Sequence, residues 1–246
     1  TLLTRDKLKR VKDLGLNDIG ISLDSLNPLE LEAICGQKGI WDKIVSAIIM
    51  SVDELQDGVV EVLTTVTRNN INEIPEIIKF VNNELGAWSV INPVNVPPVK
   101  DSILSAESDE IAPPYDPDIV DSVYDRIQEL KVQGYRILVS DRFLMDSRKY
   151  LKTGEFKWDC DAGERYFTIF PDGGLAPCSD QKSVDNITTM TASDFRSRKY
   201  LQKVRDVQKH CGGCIFSCWR EASNLFTDKS VWKERLGSVP RIFLRR

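Results

Sequence analysis

The sequence predicts an α/β protein: a parallel sheet built from βα units, followed by a small hairpin-and-helix module rich in cysteine. Three observations carry this expectation. Short β-branched runs alternate with amphipathic stretches over residues 18–151, the pattern of parallel βα units. Two apolar runs further on are joined by Asp172-Gly173, a hairpin signal. Five of the six cysteines fall in that later stretch: Cys160, Cys178, Cys211, Cys214 and Cys218. The chain is therefore expected to divide into residues 1–151 and residues 152–246.

Each element has a local reason. Thr4 can cap a first helix on which Leu8, Val11 and Leu14 repeat along one face, and Gly15 stops it. Residues 18–24, Asp-Ile-Gly-Ile-Ser-Leu-Asp, form a short strand between turn residues. Pro28 opens a short helix over residues 28–34, with Asn27 as its cap, and residues 41–55 form another. Residues 59–67 are rich in β-branched side chains and form a strand. Asn69-Asn70 turns the chain, residues 74–85 return as an amphipathic helix, and residues 88–92 make the next strand. Residues 94–117 hold five prolines and read as a long loop, a candidate substrate lid or linker. Helices over 118–133 and 142–151 flank a last strand at 136–140. Beyond the boundary come the hairpin over residues 166–178, short helices at 192–196 and 200–209, and a helix continuing from Cys218.

Bulk properties exclude some functions. A chain of 246 residues can bury a sizeable core. Its formal net charge of -4 gives no basic field for nucleic acid. The longest apolar runs, such as residues 47–50, are far too short to span a bilayer. No signal peptide is visible, and a cytoplasmic location is expected. The chain begins with Thr1 rather than Met and runs straight into a helical pattern, so a missing N-terminal segment is expected.

The cysteine spacing is Cys160-x12-Gly173-x4-Cys178, then Cys211-x2-Cys214-x3-Cys218. Disulfide scaffolds carry cysteine at higher density than this, so a metal site in a reducing compartment is the better reading. A hairpin can bring Cys160 and Cys178 together across its base, and Gly212-Gly213 lets the next loop fold around a metal. Thiolates of this number suit Zn²⁺ or an iron–sulfur cluster, and spacing leaves both open. Cys35 reads as a small buried apolar residue. His210, the only histidine, is expected on an exposed loop. Asp161 and Glu164 read as solvated acids, Trp219-Arg220-Glu221 as packing, and the tail of Arg241, Arg245 and Arg246 as too short to imply a partner.

The run Asp18-Ile-Gly-Ile-Ser-Leu-Asp-Ser25, then Pro28, Cys35-Gly36, Gly39 and Trp41, resembles the middle of a radical S-adenosylmethionine (SAM) enzyme barrel. Thr64-Thr-Val-Thr-Arg-Asn-Asn70 resembles that family's fifth strand. The two cysteine elements resemble its auxiliary-cluster module, called SPASM or, when shortened, twitch. The resemblance covers nearly the whole chain and raises iron–sulfur above zinc. It implies a partial (βα)6 barrel followed by a small domain holding an auxiliary [4Fe–4S] cluster. Cys160, Cys178, Cys211 and Cys214 would be its ligands, with Cys218 as an alternative to Cys211 or Cys214. Ser22 and Asp24 would contact the SAM ribose; the competing reading is a strand-end turn.

The chain also departs from the family. The Cys-x3-Cys-x2-Cys motif that binds the SAM-cleaving cluster is absent, and so are strands one to three. Cys35 stands where the family often has Arg. The resemblance therefore implies the later half of an enzyme, inactive alone, with SAM and a second [4Fe–4S] cluster present only in the intact form. The function implied is a radical SAM oxidoreductase or maturase, in which a 5′-deoxyadenosyl radical abstracts hydrogen from a peptide or small molecule. A flavodoxin or ferredoxin would be its reductant. The competing function is a non-catalytic α/β binding module with a structural four-cysteine zinc site. No catalytic residue is assigned.

Overall fold

The computed structural model of the protein describes residues 3–96, 111–195 and 197–243. Helix α1 (Arg5–Asp13) begins where Thr4 Oγ1 accepts from the Lys7 amide, and it buries Leu8. Strands β1 (Asp18–Ser22), β2 (Val59–Val66) and β3 (Trp88–Pro93) form a parallel sheet in that order. The register sets Ser22 beside Leu63 and Leu63 beside Val90. Helices α2 (Pro28–Cys35) and α3 (Ile40–Glu54) connect β1 to β2. A 3-10 turn (Ile71–Glu73) and α4 (Ile74–Asn83) connect β2 to β3. Parallel strands need such crossovers, and the helices bury one sheet face. On β2 that face is Val60, Val62, Thr64 and Val66. It joins Ile48, Ile74, Ile77, Ile78 and Val81 in the main core. Each such side chain removes apolar surface worth about 1.5–3 kcal/mol.

Glu61 lies on the other face of β2, half-buried. Burial pushes its carboxyl up to about 7; Asp18 adds to the shift and Arg235 opposes it. A carboxyl that holds its proton more tightly when folded stabilises the fold below its ordinary pKa. That contribution is lost as pH rises through the folded value. Glu61→Gln is therefore expected to be more stable than the parent near about pH 8, by on the order of 1 kcal/mol after solvent screening, and equal to it near about pH 4. Urea denaturation at the two pH values checks this; equal stability at the higher pH would contradict it.

Helices α5 (Pro117–Val132) and α6 (Asp141–Thr153) follow. Asp116 Oδ1 caps α5, and the buried Ser140 Oγ caps α6 by accepting from Phe143 N at 3.1 Å. Such a cap contributes about 1 kcal/mol. The strand expected at 136–140 does not form. Only an isolated bridge joins Ile137 to Ser89. Ser89 exchanges hydrogen bonds with Arg136 and Leu138, but the next donors go to side chains. Arg136 N donates to Asn82 Oδ1, and Ser140 N to Glu221 Oε1. Of the proline-rich loop, residues 97–110 lie outside the described residues, and with them the candidate lid.

The later stretch holds β4 (Thr168–Ile169) and β5 (Gly174–Ala176) as an antiparallel hairpin. Gly173 N donates to Phe170 O at 2.9 Å, and Gly173 has φ +82°. That is a four-residue turn closed by a left-handed residue, which favours glycine. A third strand, β6 (Asp185–Asn186), pairs with β5. Two polar residues carry no alternation, so this strand was not expected from the sequence. Helix α7 (Arg198–Gln208) buries Tyr200 and Val204 against Leu175 in a small second core. Residues 192–195 form turns instead of the expected helix: Asp194 Oδ2 accepts from Thr191 N and Thr191 Oγ1, which closes the chain locally. Helices α8 (Ser217–Thr227) and α9 (Lys229–Phe243) end the chain. Phe156 and Ile215 belong to the main core, so the cysteine-bearing stretch packs on the sheet-and-helix part. Among the described residues no helix is long and apolar enough to cross a membrane.

Candidate metal centre

Cys160, Cys178, Cys211 and Cys214 all line one cavity of about 500 Å³. They reach it from three places. Cys160 precedes the hairpin, Cys178 follows β5, and Cys211 and Cys214 lie on the loop between α7 and α8. Gly213 lets that loop pass close to the chain: its φ is +95°, and a Cβ there would stand 2.1 Å from Phe156 O. The backbone on either side is tied down. Trp158 Nε1 donates to Cys214 O at 2.9 Å. Gln208 Nε2 donates to Cys160 O at 3.1 Å and Ala162 O at 2.7 Å.

Three of these thiols, Cys160, Cys178 and Cys214, are shifted by their shared surroundings. Burial pushes Cys178 and Cys214 up to about 12, and the nearby Cys160 and Cys211 add to both shifts. Burial likewise raises Cys160, against hydrogen bonds from Tyr166 and the Ala162 backbone. Buried, mutually repelling thiols hold their protons, and a cation among them reverses that balance. Among the described residues no three His, Cys, Asp or Glu side chains converge closely enough to hold a single ion. Cys218 is exposed, in the first turn of α8, and does not line the cavity. Although the residue as a whole is exposed, its sulfur is partly shielded: burial raises the thiol and Asp180 adds to the shift, with no contribution from the other four.

Tyr166 Oη lies 3.2 Å from Cys160 Sγ, and its ring stacks on Trp219 with centroids 4.8 Å apart. Arg220 extends from α8 to Asp146 of α6 at 2.7 Å, both nearly buried, and its guanidinium covers the Trp158 ring at 4.9 Å. The expected packing role of this run thus includes a buried ion pair. Asn95, just past β3, accepts from Ile215 N at 2.9 Å and joins the carboxyl end of the sheet to the cysteine loop. Tyr166, Gln208 and Asn95 were not singled out in the sequence. The aromatic residues flanking Cys160, Trp158 and Tyr166, were the available signal.

The remaining candidates are scattered. Ser22 is exposed at the carboxyl end of β1, and neither it nor Asp24 lines the cysteine cavity. Asp24 Oδ1 accepts from Thr65 N at 2.7 Å, while Asn70 Nδ2 donates to Asp24 O at 2.8 Å. Burial raises the Asp24 carboxyl and the Thr65 hydrogen bonds oppose it. Cys35 is exposed, contrary to its expected burial. Its helix buries only Leu31 and leaves Ile34 59% exposed, so the last turn projects beyond the core. His210 is exposed, with Nδ1 3.0 Å from Asp206 O. Asp161 lines the cavity and pairs with Arg165 at 3.2 Å, whereas Glu164 does not line it.

No known family's sequence profile matches the chain, and no curated protein matches it. Solved structures match by fold. One is the anaerobic sulfatase-maturating radical SAM enzyme anSMEcpe with bound AdoMet, at 18% identity and TM-score 0.58 over 84% of this chain and 57% of that chain. The same enzyme with AdoMet and the Cp18Cys or the Kp18Cys peptide matches at 18% identity and TM-score 0.57, over 83% of this chain and 57% of that chain. This chain thus spans 57% of the length of those structures. At such identity the likeness shows the fold: a mixed α/β chain with a parallel sheet, shared with a radical SAM enzyme.

Proposed function

We propose that this chain supplies the sheet end and the auxiliary-cluster module of a radical SAM oxidoreductase or maturase. One observation carries the reading. Four cysteines from three separate segments line a single cavity of about 500 Å³, in a chain that shares the fold of an AdoMet-binding enzyme. The donor set is four soft thiolates, the set that holds a [4Fe–4S] cluster. Among the described residues no three ligating side chains converge closely enough for a single ion, which supports a larger cluster over zinc. Cys160, Cys178, Cys211 and Cys214 would be the ligands, with Cys218 outside the set.

The chain's own residues then have definite work. Trp158 and Gln208 fix the backbone carbonyls of Cys214 and Cys160, so two ligands are preset before any iron arrives. Asn95 holds the cysteine loop against the carboxyl end of the sheet, the edge at which parallel α/β sheets place ligands. In this reading Ser22 and Asp24 contact the SAM ribose there, the sheet is part of a (βα)6 barrel, and the substrate is a peptide or small molecule. The chemistry supplied by bound SAM is hydrogen abstraction. For the SAM-cleaving cluster this chain offers no ligand set, since Cys35 is the only cysteine before Cys160. The reductant is a flavodoxin- or ferredoxin-like protein.

Anaerobic purification tests the reading. The expected product is brown and carries about four irons and about four sulfides per chain. A colourless protein carrying one zinc overturns it in favour of a structural binding module.

A further inference from the structure

We propose that Tyr166 is a positioning residue for this centre: its hydroxyl donates a hydrogen bond to the Cys160 sulfur and raises the reduction potential of a cluster bound there. The inference rests on the functional reading above. Tyr166 Oη lies 3.2 Å from Cys160 Sγ and 3.4 Å from Ser223 Oγ. The residue is held in place through both its ring and its backbone. It stacks on Trp219 at an interplanar angle of 16°, and Trp219 itself lines the cavity. The Tyr166 carbonyl accepts from Gly163 N at 2.6 Å. Ser223 is only 1% exposed and Tyr166 is half-buried, so the far end of this chain of hydroxyls is shielded from water.

Ligation fixes the direction of the chain. A free Cys160 thiol has one proton to share with Tyr166. A ligating sulfur has none and can only accept. A tyrosine hydroxyl carries its proton at neutral pH and is free to donate it. With iron bound, the order must be Ser223 to Tyr166 to Cys160, each hydroxyl polarising the next. Reduction adds one electron, and the added negative charge spreads onto the cluster's sulfurs. A donor aimed at a ligand sulfur therefore favours the reduced state, and hydrogen bonds to sulfur are among the levers that set cluster potentials. A purely structural tyrosine would satisfy its hydroxyl on Ser223 alone and leave the potential unmoved.

The test uses the full chain, reconstituted anaerobically with iron and sulfide, titrated with dithionite and followed by electron paramagnetic resonance. Iron content is measured first. Tyr166→Phe is expected to keep its iron and to shift the midpoint negative, by a tenfold drop in the reduction constant, about 59 mV for one electron. Ser223→Ala is expected to shift it the same way by less, and carries the test if the phenylalanine variant does not fold. A parent chain that takes up no iron overturns the functional reading and this inference with it. Loaded variants whose midpoints equal the parent's overturn this inference alone.

Discussion

Cys178→Ala is expected to lower bound iron from about four per chain to below about one, whereas Cys218→Ala is expected to leave it unchanged. The contrast follows from position. Cys178 lines the cavity shared with Cys160, Cys211 and Cys214, and its thiol senses Cys160 and Cys211. Cys218 is exposed on α8 and senses only Asp180 among charged side chains. Iron loading should also rise with pH. Thiols held up to about 12 must lose their protons to ligate, so each unit of pH favours binding. Among the described residues the hairpin module's secondary core has Leu175, Tyr200 and Val204 as its fully buried members. Ligand binding to the folded form alone adds stability by mass action. The iron-free Cys178→Ala variant should therefore be cut by protease first within residues 160–211. Full iron in Cys178→Ala, or lost iron in Cys218→Ala, would sink the ligand assignment.

What could be read in advance was what local chemistry decides. Val59–Val66 is β-branched along its length and became the middle strand. Thr4 and Asn27 each accept from an amide in the first turn of their helices. Asp172-Gly173 made its turn because glycine tolerates the positive φ. The failures are of another kind. Residues 136–140 look like a strand, yet their donors are taken by Asn82 and by Glu221, the latter 81 positions away from Ser140. Cys218 follows Cys214 at a spacing as plausible for ligation as its neighbours'. Only the start of α8 at Ser217 carries it out of the cavity lining. Tyr166 and Ser223, 57 positions apart, meet only through the packing of α8. Long-range partners were thus the illegible part, and they are what gives the cysteine site its surroundings.

One such long-range contact has the largest expected effect on stability. Arg220→Met should destabilise the fold by about 3 kcal/mol, near the lower end for breaking a buried ion pair. Arg220 Nε lies 2.7 Å from Asp146 Oδ2, and the two side chains are 10% and 9% exposed. Removing the guanidinium strands a carboxylate between α6 and α8. Arg142 remains 3.4 Å from the other Asp146 oxygen, but it is 44% exposed and screened by water, so it compensates only in part. Arg220 also lies over Phe156 and Trp158, so methionine loses two aromatic contacts as well. The double variant Arg220→Met, Asp146→Leu should recover most of the loss, because an apolar pair of similar volume carries no desolvation penalty. Urea denaturation of the parent, the single variant and the double variant checks both the loss and the recovery. A single-variant cost below about 1 kcal/mol would show that the pair is solvated in solution. The outcome bears on the metal centre directly. Trp158, beneath Arg220, holds the Cys214 carbonyl, so Arg220→Met should also loosen that ligand and slow iron loading, while the double variant restores both.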